Sequence, residues 1–278
     1  MSKIAVICIA RLEGKYIREF IEHYKSLGFS NVIVCDNDHD NDGEDLASII
    51  QDYVDDGFVI IEDYHNQVRA QMRCYTEMYG KYKNDYDWLF FCDVDEYLEL
   101  VNHKSVSDFL ADKEDFQCVM VNWLCYGDND QIYADYSKPI QERFTTPLPI
   151  DLKVQYNFPE NMHIKSFIKG GIDGVLFYSN PHNTNTNLKC CNASGMQVNN
   201  MPWQPMDYRQ AYLKHYVTKG LQEWVENKMR RGTGDRDYNT FVQTYKARYF
   251  MYNQLTQPKL DYLKSIGAIL EPSDGISK

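Results

Sequence analysis

The sequence predicts an α/β fold: a doubly wound, mainly parallel sheet with helices on both faces and a helical C-terminal part. Short apolar runs alternate with segments of helical spacing through the first half of the chain, the order that builds a parallel sheet from βαβ units. Most of these runs are apolar throughout rather than alternating, as strands covered on both faces are. Helical spacing then returns in the last quarter, at 221–231, 238–255 and 259–266.

Taken in order, Ile4–Ile9 reads as a strand. The segment 14–27 places Ile17, Phe20, Ile21, Tyr24 and Leu27 on one helical face, with Gly28 as the cap. Strands at 32–35 and 58–61 bracket a short helix at 46–54, and a helix at 67–82 precedes the strand 88–92. Ser105 or Ser107 caps a helix reaching Lys113, and 117–126 is a long strand. Prolines, asparagines and glycines crowd 137–207, where short strands at 166–169 and 175–178 stand among loops. The expected division is a catalytic domain over 1–232, with halves 1–128 and 129–232, and a helical extension over 233–278.

Composition narrows the function. A chain of 278 residues with 44% hydrophobic and 25% charged residues fills a core. A net charge of -11 argues against nucleic acid as a partner, since binding it needs a basic surface that releases counterions. The eight cysteines include no C-x-x-C pair, and several lie in apolar runs as buried thiols do. Ile4–Ala10 is short for a signal peptide and lacks a cleavage segment, and no run approaches the ~20 apolar residues of a spanning helix. A cytoplasmic location is therefore expected.

The strongest local signal is Trp88-Leu89-Phe90-Phe91-Cys92-Asp93-Val94-Asp95-Glu96, an apolar strand that stops at three carboxylates. Open α/β sheets bind ligands at the carboxyl ends of their strands. Asp93 and Asp95 project to one side if the chain stays extended, where two hard oxygens suit Mg²⁺ or Mn²⁺ and, through it, a diphosphate. The plainer alternative is a solvated acidic turn. Asp36 ends the second strand as Asp93 ends the fourth and is placed to accept hydrogen bonds from a base or ribose. Arg69 and Arg73 stand one helical turn apart, as a phosphate pair or a solvated face. The first turn, Ala10-Arg11-Leu12-Glu13-Gly14, lacks a dinucleotide fingerprint, and no Walker loop or G-x-S-x-G is present.

In combination these segments become recognisable. Ala10-Arg11, Tyr16 through Tyr24, Leu27-Gly28 and Cys35-Asp36-Asn37 resemble the start of family-2-like and family-92-like glycosyltransferases. So do Gln67–Cys74, the Asp93-Val94-Asp95-Glu96 run, Asn122 through Asn129, Glu142-Arg143-Phe144, Lys165–Ile168, Pro181-His182, His215-Tyr216, Thr218-Lys219 and Lys228 through Gly232. The resemblance covers roughly 4–232. It departs at Arg11-Leu12-Glu13, where relatives carry Asn-Glu, and after Lys219, where Gly-Leu-Gln-Glu replaces Ser-x-Glu-Glu.

The resemblance implies a GT-A-like fold and transfer of a sugar from a nucleotide donor, UDP-linked in most relatives, to a glycan or lipid-linked glycan in surface polysaccharide synthesis, with inversion. It implies a divalent metal, Mn²⁺ or Mg²⁺, on Asp93 and Asp95, with His215 or His182 as a further ligand. Donor contacts fall to Ala10, Arg11, Asp36, Arg69, Asp93 and Lys219, the last read one helical turn beyond His215. Asp128 is the first candidate for the general base and Glu142 the second; Trp123 and Tyr126 are candidates to stack on the acceptor, with core packing as their plainer reading. A lipid-linked acceptor would bring the protein to the inner membrane surface, with the Trp224 helix either docking there or packing its apolar face inward. Phosphohydrolase or nucleotidyltransferase chemistry on the same carboxylates, or an inactive glycan- or nucleotide-binding protein, are the alternatives.

Overall fold

Alternate residues of the first strand go to opposite faces of the sheet, and each face finds a helix layer. In this computed structural model, residues 2–40, 42–148, 160–185, 187–229, 249 and 252–267 are described. Strand β1 (Ile4–Ala10) sends Ile4, Val6 and Cys8 into one core with helix α1 (Ile17–Ser26), and Ala5 and Ile7 into a second core with α4 (Gln71–Tyr82). This period of two explains why the run is apolar throughout. Helix α1 ends as expected, Gly28 taking φ +82 directly after Leu27.

The other early elements are β2 (Asn31–Asp36), α2 (Leu46–Ile49), α3 (Gln51–Asp55), β3 (Val59–Asp63) and β4 (Trp88–Phe91). The expected single helix at 46–54 is two, broken at Ile50 with φ -118. Then follow β5 (Glu96–Leu100), α5 (Val106–Leu110, capped by Ser105), β6 (Cys118–Cys125), α6 (Ile140–Arg143), a 3₁₀ turn at Glu160–Met162 and β7 (Ile164–Lys169). Last come β8 (Cys190–Asn192), β9 (Gln197–Val198), β10 (Ala211–His215), α7 (Leu221–Glu223) and α8 (Gln257–Ser265). Helix α7 runs on as a π-helical segment, Trp224–Lys228. Residues 230–231 of the predicted helix 221–231, most of that at 238–255 and Arg231 to Gly234 lie outside the described residues.

The sheet order is β3-β2-β1-β4-β7-β6-β10-β5, with β8 on β6 and β9 on β8. Strands β3, β2, β1 and β4 are parallel, as the alternating pattern predicts. Beyond β4 the sheet is mixed: β7 is antiparallel to both β4 and β6, and β10 is antiparallel to β5 but parallel to β6. Four strands of this region, β5, β8, β9 and β10, were not expected, and 175–178 forms none. Strand β5 escapes notice because its first residues look like the tail of an acidic turn.

Strand β7 matters most for the site. It is clamped to β4 by Phe90 and Phe167, register partners whose rings stack at 4.0 Å, a contact of about 1 kcal/mol beyond burial. Gly170 just past its end is obligatory, because a Cβ there would meet the Tyr86 carbonyl oxygen at 2.0 Å. Trp224 is buried at 1% exposure against Tyr249, so the Trp224 helix packs inward and the docking reading is set aside.

Candidate active site

The parallel register aligns the carboxyl ends of β2, β1 and β4: Ala10 lies opposite Asp36, and Ile7 opposite Phe91. Asp36 and Asp93 therefore share one sheet edge with β1 between them. Asp93 and Asp95 do not continue an extended strand. The Glu96 N–H bonds to the Asp93 carbonyl at 3.0 Å, closing a turn into β5. The turn separates the two carboxylates: Asp93 remains one-third exposed and Asp95 is buried.

Asp93 is held by fixed donors. Its Oδ2 takes Lys165 Nζ at 2.9 Å, and its Oδ1 takes Gln71 Nε2 at 2.7 Å and the Tyr75 hydroxyl at 3.2 Å. The antiparallel register puts Ser166 opposite Phe91, so Lys165 falls one step beyond the end of β4, beside the turn. Lys165 also faces Glu96 at 3.6 Å, and Glu96 Oε2 accepts the Asp93 N–H at 2.9 Å. Burial raises the Glu96 pKa well above the carboxylate range, against the pull of Lys165. Burial alone would lower the lysine, but Asp93 and Glu96 outweigh it and hold Lys165 above its ordinary range.

Asp95 is set among cations. Its Oδ2 receives Lys228 Nζ at 2.5 Å, and its Oδ1 faces His215 Nε2 at 3.7 Å. Burial pushes this carboxyl up, but Lys228, His215 and Lys219 outweigh burial and leave it far below its ordinary range. His215 arrives through β10, where it lies opposite Glu96 on one side and Cys125 on the other; the Tyr216 N–H then bonds to the Asp95 carbonyl at 3.0 Å.

Lys219 differs from expectation. No helix joins it to His215: β10 ends at His215, and Lys219 sits at φ +53 just before α7. From there it reaches Glu13 Oε2 at 3.4 Å and lies 4.0 Å from the Tyr16 ring centroid. Nearby, Arg143 donates to Glu223 at 2.8 and 3.2 Å and to the Tyr16 hydroxyl oxygen at 3.2 Å, all three residues being buried. Leu12, in the turn after β1, has φ +54, a conformation leucine rarely adopts.

At the β2 edge, Asp36 Oδ1 accepts the Asp38 N–H at 3.0 Å and has His65 at 3.9 Å, while Asp38 Oδ1 accepts the Leu12 N–H at 2.9 Å. Burial raises both, Asp38 to about 6. Arg11 forms a bidentate pair with Asp42, at 2.7 and 3.1 Å. Arg69 is not on α4. It precedes the helix at φ +51 and is exposed, so the helical pair with Arg73 does not form.

The candidates for the acceptor side scatter. Trp123, 5% exposed, is ringed by His163, His182 and His215, with centroids 5.1, 5.0 and 4.1 Å away. Tyr126 packs on Tyr216 at 5.1 Å. Both are core residues here. His182 hydrogen-bonds through Nδ1 to the Ile164 carbonyl at 3.0 Å, and it is His215 that approaches Asp95. Asp128 is committed to Lys259 at 2.7 Å, the Tyr249 hydroxyl and the Asp130 N–H. It thus anchors the described part of the C-terminal extension. Glu142 is exposed on α6.

Lys165, Lys228, Gln71, Tyr75 and Glu13 were not among the predicted site residues. A lysine inside the apolar strand Ile164-Lys165-Ser166-Phe167-Ile168 was the available clue, since a buried lysine needs a carboxylate. Lys228 and Lys165 lie in segments that carry the family resemblance, but that resemblance did not mark their pairing with Asp95 and Asp93.

For a metal, the donor types fit. Asp95 Oδ1 and His215 Nε2 at 3.7 Å have a separation that two ligands of one ion can show with bonds of about 2.1 Å. Asp93 adds a partly exposed oxygen donor. Among the described residues, no three His, Cys, Asp or Glu side chains already converge as a cage.

The chain is similar to several known proteins at low sequence identity. TarS of S. aureus in complex with UDP is 12% identical, with 96% of this chain and 79% of that chain aligned at a TM-score of 0.44. The mannosyltransferase PcManGT of Pyrobaculum calidifontis, in complex with GDP-Man and Mn²⁺, is 12% identical, with 98% and 71% aligned at 0.38. A glycosyltransferase family 92 protein of Ricinus communis is 23% identical over 106 residues, 38% of this chain and 19% of the relative, so the match spans about a fifth of that protein. The profile of glycosyltransferase family 92 matches residues 3–246, and the chain belongs to that family.

Proposed function

We propose that the protein transfers a sugar from a UDP-linked donor to a glycan acceptor, using the edge formed by β2, β1 and β4. The observation that carries this reading is Asp95, a buried carboxylate kept ionised by Lys228, His215 and Lys219. It lies on the same edge as the hydrogen-bonding pair Asp36 and Asp38. One end of the edge thus suits a neutral base and ribose, and the other a diphosphate with its cation.

Asp93, Asp95 and His215 are the residues that would hold Mn²⁺ or Mg²⁺, which when bound neutralises charge on the leaving diphosphate. Asp36 accepts hydrogen bonds from base or ribose. Lys219, held at the mouth of the turn by Glu13 and Tyr16, adds positive potential where the leaving group departs. Gln71, Tyr75 and Lys165 fix the Asp93 carboxylate. For an inverting transfer, Glu142 is better placed than Asp128 to take the acceptor proton, because the Asp128 oxygens are already bound to Lys259 and Tyr249. The acceptor is a glycan in surface polysaccharide synthesis, made by a protein working on the cytoplasmic side.

Calorimetry with UDP and Mn²⁺ tests the reading. Wild type should bind UDP only weakly without Mn²⁺, and Asp95→Asn should weaken the Mn²⁺-dependent binding at least tenfold. UDP release from UDP-sugars should then depend on added glycan acceptor. Release at the same rate without acceptor would favour a hydrolase.

A further inference from the structure

We infer that Lys228 is a binding residue for the donor's diphosphate that is parked on Asp95 until cation and nucleotide arrive. The inference rests on the reading of the Asp93–Asp95 turn as the cation site. It starts from an asymmetry between two lysines on one turn. Lys165 is fully buried on a strand in the middle of the sheet and shared between Asp93 and Glu96, so it has nowhere to go. Lys228 touches Asp95 alone among the described carboxylates, at 2.5 Å, and its side chain is 14% exposed. It projects from the π-helical segment Trp224–Lys228, an uncommon backbone form that recurs at functional sites. Trp224, buried against Tyr249 and Leu221, anchors the segment while the lysine end stays near the surface.

Charge balance then dictates what happens when a divalent cation binds. Asp95 already faces Lys228, His215 and Lys219. A cation bound to this carboxylate between His215 and Lys228 would stand within a few ångströms of an ammonium, in surroundings where like charges repel strongly. The ammonium has to leave. A lysine carries a flexible four-carbon stem and is a compact point charge suited to phosphate oxygens. With no nucleotide present, its departure gives up an ion pair for water. With a nucleoside diphosphate present, the displaced ammonium meets the anion that the cation also binds. Cation and nucleotide therefore favour each other, and Lys228 carries part of that coupling.

The experiment measures Mn²⁺ affinity by electron paramagnetic resonance of free Mn²⁺, on the full chain, with and without saturating UDP. Wild type should bind Mn²⁺ at least tenfold more tightly with UDP. Lys228→Met, which keeps most of the stem and loses the charge, should bind Mn²⁺ alone at least tenfold more tightly than wild type. Its gain from UDP should shrink severalfold, and its UDP affinity in the presence of Mn²⁺ should fall. Lys228→Arg, with its charge retained, should keep Mn²⁺ binding alone weak. If Lys228→Met leaves Mn²⁺ affinity without UDP unchanged or weaker, or if wild type shows no coupling, the inference is overturned while the cation reading stands. If wild type binds UDP but no Mn²⁺ in either condition, the cation reading fails and takes the inference with it.

Discussion

Two D-x-D sequences, Asp36-Asn37-Asp38 and Asp93-Val94-Asp95, stand on the same sheet edge with one strand between them, and their electrostatics are opposite. The first is held by backbone N–H groups, from Leu12 and from Asp38 itself, and burial raises both carboxyls. The second is held by lysines from distant parts of the chain, and Asp95 is driven far below its ordinary range despite being more deeply buried than most carboxylates. Spacing alone does not distinguish them. What does is whether the neighbouring strands deliver ammonium groups: β7 brings Lys165 beside β4, and the region after β10 brings Lys219 and Lys228. A carboxylate pair stabilised by neutral dipoles suits neutral hydrogen-bond donors. A pair embedded in lysines is built for a site where charge comes and goes.

The most severe way to break this contrast is to remove the lysine that cannot move. Lys165→Met leaves Glu96 and Asp93 without their shared cation in a dry part of the sheet, and Glu96 Oε1 already has no hydrogen-bond partner. Losing one partner of a buried pair costs about 3–5 kcal/mol, so the variant should lose most of its margin against urea. Lys228→Met should cost less, about 1–3 kcal/mol, because Lys219 and His215 still face Asp95. Urea unfolding of both variants at pH 7.5 checks the order. Equal losses would mean that the two lysines are structural equivalents and would remove the asymmetry on which the role of Lys228 depends.

The same contrast explains how much of the molecule was legible from the chain. The parallel strands β1 to β4 and most of their helices follow from apolar runs and helical spacing, because each is a local pattern with both faces covered, whereas the turn that separates Asp93 from Asp95 does not. Asp36 and Asp93 on one edge follow from topology alone. The second half was legible only in part. Strand β10 reads Ala-Tyr-Leu-Lys-His, in which buried and half-buried residues alternate without a strong apolar run, yet it places His215 against Asp95. Lys228 sits 133 residues from Asp95, so the contact depends on long-range packing that no local pattern encodes. Asp128 was expected to act on the acceptor because it follows a strand, but Lys259 and Tyr249 from the C-terminal part claim it. Trp123 was a candidate to stack on the acceptor, with core packing as the plainer reading, and its ring lies buried among three histidines.

The smallest expected effect is the most diagnostic for the β2 edge, and it depends on pH. Asp38 is fully buried, its Oδ2 has no hydrogen-bond partner, and its pKa is raised to about 6 by burial. A raised carboxyl pKa means that the folded protein holds a proton the unfolded chain has released. Between about pH 6 and the ordinary value near 4, the folded state binds more protons, so stability falls as pH rises through that window. Asp38→Asn keeps an oxygen for the Leu12 N–H and removes the titration. Wild type should therefore gain on the order of 1–2 kcal/mol relative to Asp38→Asn between pH 7.5 and pH 4.5, read from urea midpoints at the two pH values. Asp95 gives the opposite expectation: its contribution is already complete above the ordinary carboxylate range and fades only below it, so Asp95→Asn should show no relative change in the same interval. A flat result for Asp38→Asn would mean that a cation or donor partners Asp38 after all, and the two ends of the sheet edge would then be alike in kind.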